Sequence, residues 1–96
     1  MEYKVLITDS ALDDLKDIVT FIAEDDATAA VRVGERLIER ALSLGMMPAR
    51  CPYHDAVRGI RKMTAAPFQL YYTCDESNAV VNILHCWHAA RMSPEF

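Results

Sequence analysis

The second half of the chain carries side chains whose types could act on a phosphodiester. Metal-free RNA cleavage needs a base for the 2′-hydroxyl proton, cations for the charge that develops on the phosphoryl oxygens, and an acid for the leaving oxygen. Imidazole and guanidinium groups meet these needs, and both occur near the end of the chain. Three residues are predicted to form a functional patch: Arg61, His88 and Arg91. Further candidates are His85, Lys62 and Tyr71 or Tyr72.

Each of these side chains also has a purely structural explanation. Arg61 could orient the C-terminal segment by binding a carboxylate or a carbonyl oxygen. His85 lies beside a cysteine and a tryptophan, a setting typical of a packed histidine. His88 and Arg91 could bind a protein partner instead. The residue types therefore leave catalysis and interaction both open.

The spacing of histidines and cysteines does not support a metal site. The three cysteines lie far apart, at positions 51, 74 and 86, without a CxxC pair. Neither a structural zinc site nor a disulfide framework is therefore expected. His85 and His88 point to opposite faces of an extended chain, so they would not bind one ion. We expect reduced, mostly buried cysteines, and neither a metal nor a cofactor.

Composition indicates a small folded protein with one domain over residues 1–96. Apolar residues make up 52% of the chain, which is enough for a core without disulfides. No apolar run approaches the roughly 20 residues of a membrane span. The first residues do not resemble a signal peptide. We therefore expect a soluble, cytoplasmic protein that does not associate with a membrane.

The net charge of −4 is spread unevenly along the chain. Residues 1–48 carry ten acids and five bases, whereas residues 49–96 carry four acids and five bases. Domains dedicated to nucleic acid are usually strongly basic. Any contact with RNA must therefore depend on a local patch in the second half.

Two amphipathic helices are predicted in the first half. Apolar residues recur every three or four positions near 11–24 and again near 27–44. Ser10 is expected to cap the first helix, and Asp26 or Thr28 the second, which should end at Gly45. The stripe expected to be buried in the first helix includes Leu12, and its exposed face is expected to carry three acids: Asp13, Asp14 and Asp17.

After Gly45 the periodicity changes from helical to extended. Residues 46–56 hold two prolines and no repeat, which predicts a loop. Alternation predicts strands near 3–8, 57–64, 67–73 and 79–87, with Gly59 marking a bulge or close backbone approach. The order β-α-α-β-β-β predicts an α+β fold, in which a four-stranded, mainly antiparallel sheet packs against an αα-hairpin.

This order and several short segments together resemble the ParE/RelE toxin superfamily. The first half contributes Ser10-Ala11-Leu12-Asp13-Asp14-Leu15, Phe21-Ile22-Ala23 and Leu44-Gly45-Met46-Met47-Pro48. The second half contributes Arg58-Gly59-Ile60-Arg61, Pro67-Phe68-Gln69-Leu70-Tyr71-Tyr72, Val81-Asn82-Ile83-Leu84 and His88-Ala89-Ala90-Arg91. No single segment is specific, and the resemblance rests on the ordered set from Tyr3 to Arg91.

The resemblance implies a small bacterial toxin, of the plasmid-stabilisation type, that a cognate antitoxin protein neutralises. RelE-like members cut ribosome-bound mRNA with basic residues and a general acid or base on the concave face of the sheet. ParE-like members inhibit DNA gyrase and lack these nuclease residues. Few basic residues lie on the predicted strands here, which favours the ParE-like activity. A RelE-like endoribonuclease, and a non-toxic relic that serves as an interaction module, stay as alternatives. The oligomeric state, homodimer or toxin–antitoxin hetero-oligomer, stays open.

Overall fold

A computed structural model describes residues 2–89 of the chain. It has two α-helices, a five-stranded sheet and a short 3-10 helix at Pro48–Arg50. In chain order the elements are β1 (Lys4–Ile7), α1 (Asp9–Ala23), α2 (Ala27–Ser43), β2 (Tyr53–Asp55), β3 (Ile60–Ala65), β4 (Phe68–Asp75) and β5 (Val80–His88). The predicted α+β class and helix hairpin are confirmed, with one strand more than expected. No helix within residues 2–89 is long and apolar enough to span a membrane.

The strand order across the sheet is β1-β5-β4-β3-β2, and only the β1–β5 pair is parallel. β1 is four residues long, and its register runs from Lys4 opposite Val80 to Ile7 opposite Ile83. β5 continues for five residues beyond that point. The second half of β5 therefore has an edge that β1 does not cover, and α1 packs beside it.

The two helices bury one face of the sheet, and the opposite face is called the open face below. The core cluster contains Ala11, Leu15, Leu37, Ala41 and Leu44 from the helical half of the chain, and Met63, Ala65, Phe68, Leu70, Tyr72, Val81, Ile83 and Cys86 from the sheet. Leu12 was expected in the buried stripe but is 41% exposed. The three cysteine thiols are free, but only Cys86 is buried, whereas Cys51 and Cys74 are partly exposed, so the expectation of mostly buried cysteines was wrong.

Thr8, not Ser10, caps α1. Its hydroxyl accepts from the Ala11 backbone N–H at 3.3 Å and donates to the Ile83 carbonyl at 2.7 Å. The prediction was two residues late because β1 leads almost directly into α1, and the same hydroxyl serves the strand and the helix. Of the two caps expected for α2, Asp26 and Thr28, the structure has Asp26, which accepts from the Ala29 N–H at 3.0 Å.

Gly45 is required by a close backbone approach. A Cβ at this position would lie 2.8 Å from the Tyr3 carbonyl oxygen, while the Tyr3 N–H donates to the Gly45 carbonyl at 2.8 Å. Glycine thus lets the end of α2 pass against the start of β1. The prediction that Gly45 ends the helix is consistent with α2 ending at Ser43, but the reason is packing and not a left-handed conformation.

The segment after α2 differs most from expectation. The predicted loop 46–56 contains β2, and the strand expected from Val57 begins only at Ile60. Residues 56–59 instead form the turn between β2 and β3, where the Arg58 N–H donates to an Asp55 carboxylate oxygen at 3.2 Å. Gly59 has φ +70° in this turn, so it serves a left-handed turn conformation and not a strand bulge.

Candidate functional site

Arg61 lies on the helix side of β3 and holds a loop. Its Nη1 atom donates to the Cys51 carbonyl at 2.6 Å and to the Ala49 carbonyl at 3.2 Å. Its guanidinium carbon is 3.9 Å from the centroid of the Tyr53 ring. The carbonyl contacts foreseen as a structural alternative for Arg61 exist, but they reach the 3-10 helix and the residue that follows it, and not the C-terminal segment.

His88 lies at the other end of the sheet from Arg61. It is exposed at the end of β5, and its ring meets the Phe68 ring edge-on at 5.5 Å. Arg61 pairs with Tyr72, and Tyr72 with Ile83, so His88 is five residues further along β5. At about 3.3 Å per residue this is roughly 15 Å along the strand. The structure does not bring the two together, and Arg91 lies outside the described residues, so the predicted patch stays a prediction.

A cluster of polar contacts is centred on Asp14. Its Oδ2 atom lies 2.8 Å from His85 Nδ1, and it accepts from the Cys86 backbone N–H and from Trp87 Nε1, both at 3.1 Å. The His85 and Asp14 side chains are 25% and 19% exposed. One carboxylate oxygen thus joins α1 to the part of β5 that β1 leaves uncovered.

Helical periodicity did not identify Asp14. The spacing of apolar residues placed it with Asp13 and Asp17 on the exposed face of α1, and no local pattern distinguishes it from them. Only the position of α1 against the uncovered edge of β5 gives Asp14 a set of donors. His85 is partly exposed and lies on the part of β5 that β1 does not cover. Its pairing with Tyr71 and the pairing of His88 with Phe68 confirm that the two histidines point to opposite faces.

The open face around His85 is lined by aromatic and amide groups. Tyr71 donates its hydroxyl to Gln69 Oε1 at 2.9 Å, and the His54 ring meets the Tyr71 ring edge-on at 4.9 Å. Burial raises the pKa of Tyr71, so its phenol is a proton donor and not a base at neutral pH. Lys62 pairs with Tyr71 in the register and brings an ammonium group to this face.

A groove of about 600 Å³ runs between α1 and the end of β5. Its walls are mainly apolar and include Ile18, Ile22, Val33 and Phe68, together with Phe21, which is 72% exposed. Two acids of α1, Asp14 and Asp17, also line it. Burial, and then the nearby Asp14 carboxylate, raise the pKa of the lining thiol of Cys86 to about 12. This thiol is therefore un-ionised and unreactive at neutral pH.

Within residues 2–89, no group of three or more His, Cys, Asp or Glu side chains could hold a metal ion.

A helix hairpin on one face of a five-stranded mixed sheet, with the other face open, defines the RelE/ParE-like class of small α+β proteins. The RelBE2 toxin–antitoxin complex of Mycobacterium tuberculosis includes a chain 23% identical, with a TM-score of 0.72 over 92% of this chain and 99% of that one. A chain of the chromosomal ParDE system of P. aeruginosa is 18% identical, with a TM-score of 0.75 over 91% and 96%. An arginine-substituted mutant of E. coli toxin RelE in the free state is 17% identical, with a TM-score of 0.64 over 94% and 86%.

The sequence itself matches the family of ParE toxins of the type II toxin–antitoxin system parDE over residues 5–93. The chain therefore belongs to the ParE toxin family and is a toxin of a type II toxin–antitoxin system. No curated sequence matches it. The resemblance stated from the ordered motifs is thereby confirmed.

Proposed function

We propose that this toxin arrests growth by inhibiting a protein target such as DNA gyrase, in the cytoplasm, and not by cutting mRNA. The position of Arg61 carries the proposal. A nuclease must place cations where charge develops on the phosphate. The Arg61 guanidinium is committed to two carbonyl oxygens and a tyrosine ring on the helix side of the sheet. The net charge of −4 adds no general attraction for RNA.

One observation favours the ribonuclease alternative. The Asp14 carboxylate lies 2.8 Å from His85 Nδ1, and a carboxylate in this position orients an imidazole for proton transfer. Lys62 would be the nearby strand cation on the open face. Arg58 lines a cavity together with His85 and adds a guanidinium to this set. Arg61, the cation predicted to bind phosphate, is instead committed to loop carbonyls on the helix side of the sheet, and this is why gyrase inhibition is preferred.

The target is tested by running two assays on one preparation of the purified chain. We expect it to inhibit DNA supercoiling by gyrase, and we expect toeprinting on translating ribosomes to show no mRNA cleavage. The His85→Ala and His88→Ala variants should inhibit gyrase to within about twofold of the parent chain, because no proton transfer is involved. Ribosome-dependent cleavage that His85→Ala abolishes would establish the nuclease instead. Inactivity in both assays would favour the alternative of a non-toxic relic that serves as an interaction module.

The partner that we propose is a cognate antitoxin, which binds the groove between α1 and β5. Two of the structural relatives come from toxin–antitoxin systems. The groove has apolar walls and two acids, so it fits an amphipathic segment whose apolar face is flanked by a basic residue. Such a segment could be disordered alone and fold on binding. Phe21 is the most exposed large apolar side chain in this groove, and we propose it as an anchor for the partner.

The groove is tested by replacing Phe21 with aspartate. We expect antitoxin affinity to fall at least about 30-fold, since burying a carboxylate at an apolar contact removes more than 2 kcal/mol of binding free energy. Leu42→Asp is the matched control, because Leu42 is 54% exposed on α2 and does not line the groove. Isothermal titration calorimetry with the purified antitoxin measures both. Equal affinities for the two variants would exclude this groove as the antitoxin site.

A further inference from the structure

We infer that α2 pairs antiparallel with α2 of a second copy of this chain, across a stripe formed by Val31, Ile38 and Leu42. These three side chains, called the α2 stripe below, are 57%, 42% and 54% exposed. None of them lines the groove that we propose for the antitoxin. The inference therefore concerns a different surface and does not rest on the proposed function.

Helical periodicity places the α2 stripe along one line of the helix surface. At 3.6 residues per turn, positions 31, 38 and 42 lie within about 40° of one another and span about 16 Å along the helix axis. They follow the spacing of paired helices, in which contact positions alternate every three and four residues. Glu35 occupies the fourth position of this contact line. Single exposed apolar residues are common, but an exposed apolar line on one helix face is typical of a surface that a second helix covers.

The core of the protein does not bury the α2 stripe. The buried residues of α2 are Ala30, Leu37 and Ala41. They are centred about 100° away from the stripe around the helix. α1 packs beside Gly34, where an added Cβ would lie 3.1 Å from Val19 Cγ2. Leu12, which is 41% exposed, comes two turns before Val19 and therefore level with Leu42 in the antiparallel hairpin. The exposed apolar surface thus extends from α2 onto α1.

A two-fold axis makes the α2 stripe complementary to itself. If the axis passes between Arg36 and Leu37, each residue faces the position equally far on the other side of that point. Val31 then faces Leu42 of the second copy, and the symmetry repeats this apolar contact. The two Ile38 side chains lie on either side of the axis. One register therefore brings together all three apolar residues from both copies.

Charge complementarity identifies the second copy as the partner. Arg32 and Glu39 are exposed and flank the α2 stripe on the same side. The same antiparallel register brings Arg32 of one copy opposite Glu39 of the other, and the axis repeats the pair. Within residues 2–89, neither side chain forms a hydrogen bond or ion pair, whereas Arg36 and Arg40 donate to the backbone carbonyls at positions 66 and 64. An unrelated helix would need its own matching pattern, and a second copy carries it by symmetry.

Glu35 opposes this association and keeps it weak. It lies beside the axis, where it faces Ile38 of the second copy, and burying a carboxylate against an apolar side chain is unfavourable. The contact is also small, because a helix of 17 residues is only about 25 Å long. A standard interface covers roughly 800 Å² on each partner. We therefore expect a reversible dimer with a dissociation constant in the micromolar range.

Sedimentation equilibrium of the purified full chain tests the dimer. Physiological salt is used, because its screening length of about 8 Å limits the repulsion between two copies that each carry a charge of −4. We expect a monomer–dimer equilibrium that Ile38→Asp weakens at least about 30-fold, since two carboxylates would be buried beside the axis. The matched control is Val57→Asp, which introduces the same charge at an apolar residue that is 98% exposed on another surface. It should dimerise within about twofold of the parent.

Two further sets of variants respond in ways that misfolding cannot imitate. Arg32→Glu and Glu39→Arg should each weaken the dimer about fivefold, because each places like charges opposite one another twice. The double variant R32E/E39R exchanges the two charges and should return the dimer to within about twofold of the parent. Glu35→Leu should strengthen the dimer at least about tenfold, since it replaces the opposing carboxylate with an apolar side chain.

Three outcomes would overturn the inference. The first is a parent chain that stays monomeric throughout the micromolar range. The second is a dimer that Ile38→Asp does not weaken, or whose affinity R32E/E39R does not restore. The third is a loss of antitoxin affinity in Ile38→Asp, measured by calorimetry, because it would assign the α2 stripe to the antitoxin. Failure of gyrase inhibition would overturn the proposed function and would leave the dimer unaffected, so the two are tested separately.

Discussion

Replacing Tyr72 with alanine is expected to lower the free energy of unfolding by about 4 kcal/mol. Within residues 2–89, Tyr72 is the largest of the fully buried side chains, at 0% exposure, and it belongs to the core on β4. Its removal leaves a cavity and also frees the Pro48 carbonyl, which accepts its hydroxyl at 2.6 Å. A chain of this size has a total stability of roughly 5–14 kcal/mol, so a large share would be lost.

Urea unfolding followed by far-ultraviolet circular dichroism measures this loss. Tyr72→Phe is the informative companion, because it keeps the ring and removes only the hydrogen bond, which should cost about 1–2 kcal/mol. Val57→Ala, at a position that is 98% exposed, should change stability by less than about 0.5 kcal/mol. A phenylalanine variant as unstable as the alanine variant would show that the hydrogen bond, and not core packing, dominates at this position.

Replacing Asp14 with alanine is expected to lower the free energy of unfolding by about 2–3 kcal/mol. Three donors lose one shared acceptor: His85 Nδ1, the Cys86 N–H and Trp87 Nε1. The Cys86 N–H belongs to the part of β5 that β1 does not cover, so no neighbouring parallel strand replaces the lost bond. The largest local effect should appear at Trp87, the only tryptophan, whose fluorescence reports the change.

Two controls separate this role from the general charge of α1. Asp13→Ala removes an exposed carboxylate one position away and should change stability by less than about 0.5 kcal/mol. Asp14→Asn keeps an oxygen acceptor at this position but loses the carboxylate charge, so it should lower the free energy of unfolding by about half as much as Asp14→Ala. Equal stabilities for the Asp13 and Asp14 alanine variants would contradict the contacts assigned to Asp14.

Much of the fold could be predicted from local pattern. Apolar spacing located both helices to within two residues, and Asp26 was identified as a cap because a short carboxylate side chain reaches the first turn of its own helix. Alternation located β1, β4 and β5. These features depend on residues a few positions apart, which is why a single sequence contains them.

β2 was not predicted, for a physical reason. Its three residues, Tyr53–Asp55, follow a proline and show no alternation. β2 is held by its antiparallel pairing with β3 and by the contact of the Arg61 guanidinium with the Tyr53 ring. The prediction treated residues 46–56 as a plain loop and therefore missed this strand.

The sequence by itself therefore determined the fold class, the helix hairpin, the chain order of the four longer strands and, through its ordered motifs, the ParE/RelE resemblance. Only the tertiary structure decided what the charged side chains contact. Arg61 binds loop carbonyls and Asp14 binds the uncovered edge of β5, and neither contact has a local signature. The reason is that these partners are 10 and 71 to 73 residues away in the chain. Contacts over such separations arise only when sheet register and helix packing bring the segments together.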